Sequence, residues 1–258
     1  MIVNYELKRK TDLLYLLIQK EVTIQYKRTT LGILWTLIDP ILSAAVFYIA
    51  FTVILKYNIQ NYTLFLLSAL FPWTLFSNSI ILSTNVLITN KSLIKKIPFP
   101  RHFLLLAVVT AQCIHFLFSI PITIFLVYYY GNTISLIWVL GIPVLILIQL
   151  ALTLGFSFIV STINVYFRDM QYIIAFIINM LFWLTPILYS VDTIPAQYRY
   201  LFLNFNPLTR LICSWRELFM FNILNWENIG FCFAISLSIL FIGIVFFQRF
   251  GKRIDEVI

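Results

Sequence analysis

Few residues in this sequence are equipped for chemistry. His102 and His115 are its two histidines, and Asp39 is the one acid deep inside an apolar run. Within the apolar segments no two acids fall at the spacing of metal ligands. Cys113, Cys213 and Cys232 show neither zinc spacing nor a disulfide framework, and small apolar filler accounts for them. A Walker loop requires Gly, four residues, then Gly-Lys-Ser/Thr. The single Gly-Lys pair is Gly251-Lys252, with Phe246 where the first glycine belongs and Arg253 after the lysine. ATP hydrolysis by that route is therefore not expected of this chain. A membrane hydrolase or glycosyltransferase would show clustered carboxylates or histidines at the membrane face, and this sequence places its polar residues elsewhere. His115 lies mid-span and reads either as a functional ionisable group or as a neutral ring hydrogen-bonded between helices. Asp39 precedes Pro40, which suits a cap for a turn that restarts after the proline. Pairing with a nearby Arg or Lys is the other reading.

The elements around these residues are long and apolar. Hydrophobic residues make up 61% of the 258 and charged residues 11%, against about 45–50% and about 25% in soluble domains. Between His102 and Arg168 there is no Lys, Arg, Asp or Glu. A bilayer span needs about 20 apolar residues, so this stretch holds two, with Gly131-Asn132-Thr133 as the turn between them. The expectation is an all-α integral membrane protein with six transmembrane helices, at about 33–55, 63–88, 103–130, 134–163, 172–191 and 229–247.

Residues 1–30 lack the long apolar core and cleavage site of a signal peptide. Leu13, Leu16, Leu17 and Ile24 among cations predict an amphipathic helix on the membrane surface. The division is thus a cytoplasmic interface helix over 1–30 and a six-span domain over 31–258. Segment 192–226 is too broken to span and too apolar for a plain loop. Asn206-Pro207 divides it, and Leu208, Leu211, Ile212, Trp215, Leu218 and Phe219 then recur at helical spacing. Two short re-entrant or capping helices between spans 5 and 6 are expected, a surface-lying loop being the alternative.

Cations set the orientation. With the N-terminus inside, the cytoplasmic side holds Lys8, Arg9, Lys10, Lys20, Lys27, Arg28, Lys91, Lys95, Lys96, Arg101, Arg168, Arg249, Lys252 and Arg253. The outer side holds Lys56, Arg199, Arg210 and Arg216. Both termini are expected in the cytoplasm. The net charge of +8 follows from this asymmetry and does not imply nucleic-acid binding.

Six short motifs occur in register along nearly the whole chain. They are Leu31-Gly32-Ile33-Leu34-Trp35 with Pro40 behind it, Phe65-Leu66-Leu67-Ser68-Ala69-Leu70-Phe71-Pro72-Trp73, Leu93-Ile94-Lys95-Lys96-Ile97-Pro98-Phe99-Pro100-Arg101, Asn164-Val165-Tyr166-Phe167-Arg168-Asp169, Leu184-Thr185-Pro186-Ile187-Leu188-Tyr189 and Asn206-Pro207-Leu208-Thr209. Together they resemble the permease subunit of type-2 ABC transporters that export polysaccharides. The O-antigen (lipopolysaccharide) branch is the nearest, and capsule and teichoic-acid exporters are neighbours.

The resemblance implies a homodimer in the bacterial inner membrane with two ABC ATPase subunits below it. ATP and Mg would bind in those subunits, and this chain would hold no cofactor. The cargo would be a glycan on an undecaprenyl pyrophosphate carrier, passing between two permeases along spans 1 and 5. The family's gate and coupling helices map onto 90–101 and 164–171, making Lys95, Lys96, Phe99, Arg101, Arg168 and Asp169 candidates for ATPase coupling. Anchoring to the cytoplasmic leaflet accounts equally for the cations, and Asp169 could pair with an arginine. Arg28, Lys95, Lys96 and Arg101 could attract the pyrophosphate or anionic lipid headgroups. Sugars stack on aromatic rings, so Phe47, Tyr48, Phe51, Phe176, Phe182 and Trp183 are candidates for the pathway, with an aromatic belt as the competing use. A sister permease for a drug or lipid would share the topology, whereas a channel or scaffold would not need two coupling loops.

Overall fold

The computed structural model describes residues 2–26, 31–56, 59–96 and 99–251, and among these the regular structure is entirely helical. The helices are α1 (Ile2–Tyr26), α2 (Trp35–Tyr48), α3 (Tyr62–Thr89), α4 (Lys91–Lys96), α5 (His102–Tyr129), α6 (Ile137–Tyr166), α7 (Met170–Leu184), α8 (Ala196–Phe205), α9 (Pro207–Phe221) and α10 (Trp226–Phe250). A π-helical stretch, Ile49–Ile54, extends α2. Among the described residues five helical segments are long and apolar enough to cross a membrane: α2 with its π extension, α3, α5, α6 and α10. The expected spans lie within a few residues of these helices.

The expected span over 172–191 is different. Its helix ends at Leu184, and Thr185 is extended at φ −94° and ψ 136°. The cause is Pro186, whose ring disfavours helical backbone at the preceding residue. At about 1.5 Å per residue, the 15 residues of α7 rise about 22 Å, short of the roughly 30 Å hydrocarbon layer.

α3 is the hub. It packs against α2, α5, α6, α7 and α9 and is buried along most of its length. Pro72 removes one helical hydrogen bond without ending α3. Gln149 of α6 donates through Nε2 to the Pro72 carbonyl at 2.6 Å and accepts from Trp215 Nε1 of α9 at 2.7 Å. α6 and α10 cross at Gly155, where a Cβ would come within 2.7 Å of the Ile239 backbone, so the two main chains touch.

α9 is buried inside the bundle, against α3, α5, α6 and α10. Its break from α8 falls at Asn206-Pro207 as expected. Asn206 caps α9 by accepting from Leu208 N at 3.0 Å, and its Nδ2 donates to Thr185 Oγ1 at 2.9 Å. Two of the sequence motifs thereby lock onto each other.

Asp39 does not cap a restarted turn, because α2 runs unbroken from Trp35 through Pro40. Its side chain instead lines a cavity with Gln112 and His115 of α5. On α1 the apolar residues divide. Leu17 is buried and Leu13 half-buried against the second core, while Leu16 and Ile24 are exposed.

Candidate functional site

One end of the bundle gathers the C-terminal ends of α3, α6 and α10, the N-terminal end of α5, and α1 and α4. A second apolar core seals it, built on Leu17, Val86, Leu87, Leu104, Val165 and Phe247. Polar ties cross it. Lys20 donates to Asn90 Oδ1, Arg101 to the Gly251 carbonyl, and Tyr166 OH to the Phe250 carbonyl at 2.7 Å. Asn164 Nδ2 donates to Thr84 O at 2.9 Å and Asn85 Oδ1 at 3.0 Å, which fixes the start of the turn between α6 and α7 against α3.

On that scaffold α4 turns Leu93 and Ile94 toward the second core and leaves Lys95 and Lys96 exposed. Arg168 and Asp169 also stand exposed and are not paired with each other. Phe99 and Arg101 line an open groove shared with Gln248, Arg249 and Gly251 of the C-terminal end of α10. The coupling candidates are thus presented at one end, on two short connections stiffened by the core beneath them. Arg28 lies outside the described residues. Among the described residues no three His, Cys, Asp or Glu side chains form a metal-binding group.

The aromatic candidates form a seam where α2 and α7 lie against α3. The Phe47 and Phe182 rings stack at 5.9 Å, Phe47 meets Phe51 edge-on at 6.5 Å, and Phe182 meets Trp183 at 5.6 Å. Tyr48 reaches the seam through Tyr62 at 6.5 Å. Phe176 stands apart from it, 63% exposed on the outer flank of α7. Sequence reasoning missed Trp73, 5.7 Å from Phe182, and Tyr62, stacked on Phe51 at 6.2 Å. Both lie in or beside the Phe-Pro-Trp motif region, which was the available signal.

At the opposite end, Arg216, one of the cations assigned to the outer side, is buried. It is 6% exposed. Its Nη2 donates to the carbonyls of Pro186 and Ile187 at 2.9 and 3.0 Å, its Nε donates to Phe65 O at 3.3 Å, and its guanidinium lies 3.5 Å over the Phe65 ring. Tyr62 OH donates to Leu188 O at 3.1 Å. The carbonyls freed where α7 breaks are therefore satisfied by α3 and α9, as buried backbone requires.

A bundle of long apolar helices with exposed cations gathered at one end fits the membrane component of a transporter. The profile of the ABC-2 type transporter family matches residues 12–220, and the chain belongs to that family. It is 37% identical over 256 residues to the O-antigen export system permease protein RfbA of Klebsiella pneumoniae, covering 99% of this chain and 98% of that one. It is 34% identical over 256 residues to the permease of the same name from Myxococcus xanthus, covering 98% of each. A more distant relative is the polysialic acid transport protein KpsM of Escherichia coli, 20% identical over 232 residues, covering 89% of this chain and 90% of that one.

Proposed function

We propose that two copies of this chain form the membrane part of an ATP-driven exporter with two ABC ATPase subunits. It moves a lipid-linked polysaccharide of the O-antigen type from the cytoplasmic to the outer side of the bacterial inner membrane. The observation that carries this reading is the near full-length likeness to permeases named for O-antigen export.

The geometry supports it in three ways. Lys95, Lys96, Arg168 and Asp169 are exposed on an end suited to docking an ATPase, with α1 laid along the cytoplasmic face. Lys95, Lys96 and Arg101 suit attraction of a pyrophosphate carrier, the role also expected of Arg28, which lies outside the described residues. α2 and α7 leave apolar flanks uncovered, including Val46, Val53, Ile173 and Ile177, which a second copy would cover, placing the aromatic seam beside the path. In this reading α7 and the turn that follows it, 185–190, together make the sixth crossing, and α9 re-enters from the outer side.

The test is co-expression with an ABC ATPase encoded beside this chain, purification through a tag on this chain, and measurement of surface glycan. A stable assembly with ATP turnover is expected. Lys95→Glu with Lys96→Glu should insert normally and lose the ATPase. Undiminished co-purification of that double variant removes the docking role of α4, and a chain that never binds the ATPase overturns the exporter reading.

A further inference from the structure

Beside α9, at the end opposite α4, lies a cavity of about 700 Å³. α9 is two-faced there. Leu208, Leu211, Trp215, Leu218 and Phe219 enter the core, whereas Arg210, Cys213, Glu217, Met220 and Phe221 line the cavity. Asn61 also lines it, one residue before Tyr62 of the aromatic seam.

The charges of this cavity are unusual for a buried place. Arg210 is held by neutral acceptors, the Leu203 carbonyl at 3.2 Å and the side-chain oxygens of Asn204 and Asn228, both at 2.8 Å. Arg216 is nine-tenths buried and held by three backbone carbonyls through Nε and Nη2, which leaves Nη1 unused. Among the described residues neither arginine has a carboxylate partner. Asp192 at the rim is taken by Arg199 at 3.5 Å. Glu217 lines the same cavity, and its Oε2 is buried without a hydrogen bond. Burial raises that carboxyl above its ordinary range, and groups donating to it would relieve the cost.

A buried donor-only group and a half-buried acceptor-only group left incomplete in one cavity select a ligand able to answer both. A phosphate would satisfy the arginine and meet repulsion from Glu217, and a cation would do the reverse. Adjacent sugar hydroxyls donate and accept at once. Amides such as Asn61 do the same for their neighbours, and the apolar face of a sugar ring suits Phe221, which is 60% exposed. The volume falls within the range of about 300–1,000 Å³ typical of ligand sites.

We propose that this cavity is a carbohydrate-binding site that holds a short neutral stretch of glycan at the outer end of the seam. The proposal rests on the reading that the cargo is a glycan. Glu217 accepts from one hydroxyl, Arg216 Nη1 donates to another, and Phe221 packs against the ring.

The experiment uses the chain assembled with its ATPase in lipid nanodiscs. The probe is the free oligosaccharide released by mild acid from the carrier-linked glycan of the producing cells, and binding is read by saturation-transfer NMR. Glu217 has no hydrogen-bonding partner to lose at Oε2 and Phe221 is exposed, so Glu217→Gln and Phe221→Ala should still assemble with the ATPase, which serves as the folding control. Saturation of the oligosaccharide is expected with the parent chain, and about tenfold weaker binding with each variant. No saturation, or equal affinity in all three, overturns the site. Displacement of the sugar by inorganic pyrophosphate, with tighter pyrophosphate binding in Glu217→Gln, overturns it in favour of an anion site. An assembly that exports glycan yet fails to bind the probe sinks the cavity alone, whereas a chain that neither assembles nor exports sinks the exporter reading.

Discussion

Thr185-Pro186 and Arg216 illustrate how single residues hold this bundle together. A proline after Thr185 ends α7 and exposes carbonyls that no helix can satisfy. Arg216 answers them from another element, 30 residues away along the chain. Arg216→Leu should leave these carbonyls orphaned, at about 1–3 kcal/mol each, and should sharply lower the melting midpoint of the detergent-purified chain. Gln149→Leu strands the Trp215 Nε1 donor and the contact to Pro72, so a smaller loss of about 1–3 kcal/mol is expected. If Arg216→Leu melts with the parent, the break in α7 is not held by that guanidinium. In the sequence Arg216 reads as one more outer-side cation, because charge alone does not report burial.

At the scale of elements, two contacts dominate. The crossing of α6 and α10 tolerates no side chain at Gly155, so Gly155→Leu should abolish monodisperse protein on size exclusion. Gly230→Ala, on α10 where nothing lies within 4 Å, should be neutral or slightly stabilising. Equal behaviour of the two variants would contradict backbone contact at the crossing. The seam between α2 and α7 makes a second comparison. Phe182 touches Phe47, Trp73 and Trp183, whereas Phe176 points away. Phe182→Ala should slow glycan export, measured by pulse-labelled surface polysaccharide, more than Phe176→Ala. Matching rates would remove the seam from the pathway. Spacing put Phe47, Phe176, Phe182 and Trp183 on spans 1 and 5 and left out Trp73, and only the packing of α7 on α3 separates those inside the seam from those outside.

For the molecule as a whole, the two ends differ in charge and in construction. The basic end is sealed by α1 and the second core, and the other by α9 and its polar ties. Asn222 supplies the last of these, accepting from Trp138 Nε1 at 2.7 Å and donating to the Thr133 carbonyl at 2.7 Å. In a background without native cysteines, Thr133→Cys should react with an impermeant maleimide on intact spheroplasts. Lys96→Cys should react only after permeabilisation. The reverse pattern would invert the orientation drawn from the cations.

By itself the sequence determined the helical class, the bounds of the long spans, the division at Asn206-Pro207 and the absence of a nucleotide loop. These are properties of contiguous residues. The thickness of a bilayer sets how long an apolar run must be, and charge either interrupts the run or does not. Tertiary structure decided the hub role of α3, the burial of α9 and Arg216, the membership of the aromatic seam and the cavity behind Glu217. Those depend on side chains far apart in the chain, such as Gln149 with Pro72 and Trp215. Inside a membrane, where every partner is apolar, shape and a few hydrogen bonds choose neighbours, and neither leaves a periodic mark on the sequence.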